Sequence, residues 1–198
     1  MATTTPNYGW PVPTSTDYVK DGATAIEALG DAIDATVFGL PSGGLTLISA
    51  TTIGSAVSSV TVTGAFSATY DNYRILVSGG TASTNTGLSL QMGATTSGYK
   101  YSLVNAPYNA SPAAASSGAG GNILYSAMMT TDGLAGTIDV NSPFLSKRTT
   151  FSCVWSSPSE TGTTTGHLGN TTSYTAFTLA TLSGTVTGGT IRVYGYKN

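Results

Sequence analysis

The stretch Tyr70-Asp71-Asn72-Tyr73-Arg74-Ile75-Leu76-Val77-Ser78-Gly79-Gly80 decides the fold. Tyr73, Ile75 and Val77 alternate with Arg74, Leu76 and Ser78, the period-two pattern of a strand with one buried face. Asp71-Asn72 before it and Gly79-Gly80 after it read as turns. The pattern recurs in both directions: Val60 and Val62 against Thr61 and Thr63, and Phe151, Cys153 and Trp155 against Ser152 and Val154. Phe177 and Leu179 flank Thr178, and Ile191 and Val193 alternate with Arg192 and Tyr194. Strands are expected near residues 45–49, 58–63, 73–78, 88–92, 99–104, 122–130, 136–140, 149–156, 174–182 and 190–196. With glycine turns between them, this spacing predicts a mainly β chain forming one jelly-roll-like β-sandwich. The Ala-, Ser- and Gly-rich stretch Ala106–Gly121 reads as a long exposed loop, and Thr161–His167 as a flexible tract.

The chain before Pro41 has a different character. Five of the nine carboxylates (Asp17, Asp21, Glu27, Asp31, Asp34) lie there against the single base Lys20. From Pro41 onward four acids face six bases, which splits the chain into a leading piece, 1–40, and a β domain, 41–198. In Pro6-Asn7-Tyr8-Gly9-Trp10-Pro11-Val12-Pro13 three prolines exclude a helix and favour an extended strap. Tyr8, Trp10 and Val12 on that strap are candidate anchors to a partner, because aromatic side chains dominate interface energetics. A helix is expected over about 21–37, with Asp21 as N-cap or Thr24 and Glu27 as a capping box. Val19, Ile26 and Ile33 recur every seven residues and, with Leu29, form a narrow apolar stripe. Gly22 and Gly30 weaken the helix by about 1 kcal/mol each, so it needs something to pack against. Gly39, Pro41, Ser42, Gly43 and Gly44 end it and form a linker.

Composition narrows the function. Only 8% of residues are charged, against a typical quarter, so hydroxyl and amide groups must wet most of the surface. Such a surface suits a chain whose flanks are covered by copies of itself or by a larger assembly. A net charge of −2 with one adjacent basic pair, Lys147-Arg148, gives no footprint for nucleic acid. No run of 18 apolar residues predicts a membrane span, and Met1–Pro6 lacks the pattern of a signal peptide.

Reaction chemistry is not expected. His167 is the only histidine, and Cys153, the only cysteine, falls on the apolar face of its strand. Asp71, Asp132, Asp139 and Glu160 could supply a glycan-cleaving pair, but two of them read more simply as turn residues. No phosphate loop, dinucleotide fingerprint or metal-ligand cluster stands out, so neither cofactor nor metal is expected. Tyr99, Tyr101 and Tyr108 are candidate contacts to a glycan or receptor, since a tyrosine stacks its ring while its hydroxyl stays wet.

Tyr8-Gly9-Trp10-Pro11-Val12-Pro13, then Asp21-Gly22-Ala23 and Leu29-Gly30-Asp31-Ala32-Ile33-Asp34, resemble the opening of many tailed-bacteriophage virion structural proteins. Tyr70–Val77 and Gly189-Thr190-Ile191-Arg192-Val193-Tyr194-Gly195-Tyr196 resemble the jelly-roll modules that follow such openings. The resemblance implies a non-enzymatic, homotrimeric part of the virion: a fibre or tail appendage, or a head-decoration subunit. It would be fixed to other virion proteins through residues 1–40, with the β domain outward. Apart from the resemblance, the tyrosines and the Ala106–Gly121 stretch suggest a host-surface glycan as a further partner.

Overall fold

The structure, a computed structural model, describes residues 3–14, 18–39, 44–109 and 113–197. Asp17, the linker residues 41–43 and the centre of the expected 106–121 loop lie outside the described residues. The chain divides into two compact units, residues 1–43 and 44–198.

In the leading unit the proline-rich strap is a small hairpin rather than a free ribbon. β1 (Thr3–Thr4) pairs antiparallel with β2 (Pro11–Val12). The Thr5 and Trp10 backbones close it, and Gly9 takes φ +67° at the turn, where a side chain would be strained. A 3-10 turn over Val19–Asp21 leads into α1 (Gly22–Gly39). Asp21 therefore lies inside helical backbone, its N–H bonded to the Tyr18 carbonyl, and is not the expected cap.

The β unit carries β3 (Leu45–Thr52), β4 (Ser59–Val62), β5 (Asn72–Gly79), β6 (Thr81–Ala82), β7 (Thr86–Met92), β8 (Tyr99–Pro107) and β9 (Ala114–Gly120). It continues with β10 (Ile123–Thr130), β11 (Gly133–Asn141), β12 (Thr149–Ser156), β13 (Glu160–Leu168), β14 (Phe177–Thr181), β15 (Val186–Thr187) and β16 (Thr190–Tyr196). All pairing is antiparallel, and β11 is the branch point. One of its edges runs along β5 from Leu134 to Asn141. Its other edge pairs first with β10, over Gly133–Ala135, and then with β12, over Thr137–Asn141. One layer is thus β4-β14-β7-β10, and the other is β3-β16-β5-β11-β12-β13-β8-β9. Gly136 sits where β10 and β12 part, and any Cβ there would run into Ala127.

The arrangement is a β-sandwich, and its core follows from the alternation. Tyr73, Ile75 and Val77 of β5 share one buried cluster with Leu88, Leu90 and Met92 of β7. Phe66 meets Tyr73 edge-on at 4.8 Å and Phe177 at 5.7 Å. A smaller cluster of Leu103, Met128 and Trp155, with Tyr125 against it, fills the space where β10 and β12 diverge. The register of β10 shifts between Ile123 and Ala127. There Tyr125 adopts φ +52° and sets its ring 5.9 Å from Trp155, while its carbonyl accepts the buried Thr164 hydroxyl at 2.8 Å.

Candidate functional site: the uncovered helix face and the outer sheet

Two stripes run side by side along α1. Gly22, Ala25, Leu29, Ala32 and Thr36, spaced alternately three and four residues apart, are half-buried. The hairpin accounts for this seam, because β2 packs on α1 and the Trp10 indole N–H donates to the Thr36 hydroxyl at 2.9 Å. The Thr36 hydroxyl in turn donates a hydrogen bond to the Ala32 carbonyl, and Tyr8 stacks on Trp10 at 5.1 Å. Trp10, Val12 and Leu29 are therefore half-buried within their own unit. The strap has a local surface to close on because small residues leave α1 flat there. Tyr8, still 61% exposed, keeps its outer ring face free.

The neighbouring stripe has no cover. Val19 is 97% exposed, Ile26 66%, Ile33 36% and Val37 57%, with Phe38 at 91% just beyond. Among the described residues of the leading unit none is buried. Glu27, Asp31 and Asp34 flank this stripe, so an acidic rim borders an apolar seam.

The expected glycan-contacting tyrosines are not all on the surface. Tyr99 is fully buried, its hydroxyl accepting the Met92 N–H at 2.7 Å, and burial pushes its pKa up to about 12. Tyr101 faces the same way and is half-buried, packed against the core and across Gly118 and Gly166. Both sit on the inward face of β8, because their register with β13 places them opposite Leu168 and Gly166. Tyr108, 54% exposed at the end of β8, alone presents a ring to solvent.

The tract around His167 is strand β13, not a flexible segment. Its inward positions Gly162, Thr164 and Gly166 are small where the Trp155 and Tyr101 side chains cross them, and Leu168 follows as a buried core residue. Thr161, Thr163, Thr165 and His167 point outward. His167 is directly opposite Lys100 of β8 on one side and Thr150 of β12 on the other. An open depression of about 360 Å³ lies there, lined among others by Lys100, Ser102, Arg148, Thr150, Thr165 and His167.

Three of the groups weighed for catalysis, Cys153, Asp139 and Glu160, are buried or have side-chain partners. Cys153 is fully buried and its thiol is pushed up to about 12, first by loss of solvent and then by the nearby Asp139 charge. Asp139 is held by Arg74 and by the Tyr196 hydroxyl, and Glu160 accepts the Asn105 amide at 2.6 Å. Among the described residues no helix is long and apolar enough to cross a membrane. Comparison of the chain with known family models, with curated proteins and with solved structures finds no match.

Proposed function

We propose that this chain is a non-enzymatic structural subunit of a tailed-phage virion, a short homotrimeric appendage attached through its leading unit and displaying its β unit. The observation that carries the reading is the bare Val19, Ile26, Ile33 and Val37 seam on a helix whose unit has no buried residue among those described. Covering each such side chain is worth roughly 1.5–3 kcal/mol, and an isolated helix of this length interrupted by Gly30 is marginal in water. Sister helices satisfy both needs at once. The motif resemblance supports the same reading, as does the strand sequence. The orders β4-β14-β7-β10 and β3-β16-β5-β11 are compatible with a jelly roll in which hairpins β8-β9 and β12-β13 widen one sheet.

Light scattering of the purified chain at micromolar concentration tests the assembly, with a trimer expected. The double variant Ile26→Asp and Ile33→Asp is expected to give monomers whose β unit keeps its aromatic circular dichroism. A wild-type chain that is monomeric at that concentration overturns the reading. Removing residues 1–13 is expected to stop incorporation into particles while the β unit stays folded.

A further inference from the structure

Lys100, Arg148 and His167 gather at one depression on the outer face of the widened sheet. The contrast with Arg74 is informative. That cation has a bidentate carboxylate partner and lies over the Tyr196 ring, which is how this fold treats a cation with a structural task. Among the described residues no carboxylate lies within ion-pair distance of Lys100, Arg148 or His167. Lys100 and His167 are a directly opposed cross-strand pair, with side chains that leave their strands about 5 Å apart. Placing basic groups opposite one another opposes folding slightly whenever both are charged, and nothing in the sheet requires it. Around them the floor offers hydroxyls on adjacent rows: Thr150 beside His167, and Ser102 opposite Thr165. Such a floor can donate to and accept from a ligand that carries hydroxyl groups itself.

We propose that this depression binds an anionic saccharide, a sugar unit bearing a carboxylate or phosphate group. Lys100 and Arg148 take the anionic group, His167 lies between them as a further donor, and Ser102, Thr150 and Thr165 hydrogen-bond the ring hydroxyls. A neutral sugar would leave the cations unmatched, and a bare polyanion would leave the hydroxyl rows unused. The depression is open and shallow, so a segment of a polymer fits it better than an enclosed small molecule. The site lies wholly in the β unit and does not depend on the assembly proposed above.

The test is binding of the full-length chain, by calorimetry or surface resonance, to four polymers. They are alginate for carboxylates, a phosphomannan for phosphates, dextran as the neutral sugar, and inorganic polyphosphate as an anion without sugar. Binding to alginate or to phosphomannan is expected, and whichever is tighter identifies the source of the charge. Dextran is expected not to bind, and polyphosphate to bind more weakly. Lys100→Ala with Arg148→Ala should weaken the saccharide by about tenfold or more, and raising the salt should do the same. Thr165→Val, which keeps shape and removes a hydroxyl, should weaken the saccharide about fivefold and leave polyphosphate unchanged. Equal binding of polyphosphate and saccharide with no effect of Thr165→Val overturns the proposal, because the patch is then a generic anion sink. Absence of binding to both charged saccharides overturns it as well. A Lys100 and Arg148 variant that changes only the oligomeric state does so too, since the patch is then a subunit contact.

Discussion

The Arg74 guanidinium grips the Asp139 carboxylate across the β5–β11 pair through two hydrogen bonds, Nε to Oδ1 at 2.8 Å and Nη2 to Oδ2 at 2.7 Å. The Tyr196 hydroxyl donates to the same Oδ1 at 2.8 Å, and the Tyr196 ring lies under the guanidinium. Three strands, β11, β5 and β16, are tied together on the outer face by this group. The Arg74 hydrogen bonds hold Asp139 below the usual carboxylate range, against the opposing effect of burial and with added help from Tyr196. A carboxyl whose folded pKa is depressed stabilises the fold above its unfolded value, near 4, and that contribution fades as pH falls through the folded value. The side chains remain 35% and 28% exposed, so water screens the pair. Asp139→Asn should therefore cost only about 1 kcal/mol at pH 7. Urea titrations of both proteins at pH 7 and near pH 2 are expected to show the difference shrinking at the lower pH. A difference that does not change with pH would mean that the carboxylate is not held by charge.

Cys153 lies between Ile138 and Thr164 in the sheet, with no solvent contact and a thiol pushed up to about 12. It is the thiolate that attacks a reagent such as iodoacetamide, displacing iodide, so the folded chain should resist iodoacetamide at pH 8 and react only through opening of the sheet. The labelling rate should be independent of reagent at high concentration and rise with urea. Cys153→Ser is expected to cost more than Cys153→Ala, because a hydroxyl there would be buried without an assigned partner, a penalty of about 1–3 kcal/mol. Thermal unfolding of the two variants side by side checks the order.

The strands that were legible in the sequence are those whose inward positions carry large apolar side chains, such as Tyr73-Ile75-Val77 and Phe151-Cys153-Trp155. Two strands, β9 and β13, gave no such signal. The inward positions of β13 are Gly162, Thr164 and Gly166 because Trp155 and Tyr101 from neighbouring strands already fill that space. In β9, Gly118 lies beneath the Tyr101 ring for the same reason. Apolar alternation detects a strand that supplies its own packing and misses one that is covered by others. The threonines Thr161, Thr163 and Thr165, β-branched and two apart, were the available signal for β13. The inward turn of Tyr99 was equally readable from its place two residues before Tyr101 and four before Leu103. The depression beside His167 was not, since β12, β13 and β8 meet there only after the hairpins have widened the sheet.

The Trp10–Thr36 hydrogen bond predicts how firmly the strap is closed on the helix. Thr36→Val removes the acceptor and leaves the indole N–H to water, at a cost of about 0.5–1.5 kcal/mol to the docked hairpin. Because no described residue of the leading unit is buried, that amount is a large share of what holds the hairpin down. Limited proteolysis is expected to cut residues 3–14 faster in Thr36→Val than in the parent chain, with cleavage of the β unit unchanged. Equal rates would show that the strap is held by something other than its own helix.

Two glycines of the same layer, on strands β13 and β9 to either side of β8, make opposite predictions for the same substitution. A Cβ on Gly162 would run into the Trp155 ring, which is buried and cannot swing aside. Gly162→Ala must therefore displace Trp155, Tyr125 or the β12–β13 pairing, and should destabilise the β unit by about 1–3 kcal/mol. Gly120 of β9 has nothing within 4 Å of the position a Cβ would take, and its backbone lies outside the left-handed region. Gly120→Ala should instead be neutral or add up to about 0.4–1 kcal/mol, by narrowing the freedom of the unfolded chain. Denaturant midpoints of the two variants, measured with Trp fluorescence, are expected to move in opposite directions or to differ by at least the smaller of these penalties. If Gly162→Ala is as stable as Gly120→Ala, then the Trp155 ring is not what keeps the inward face of β13 free of side chains.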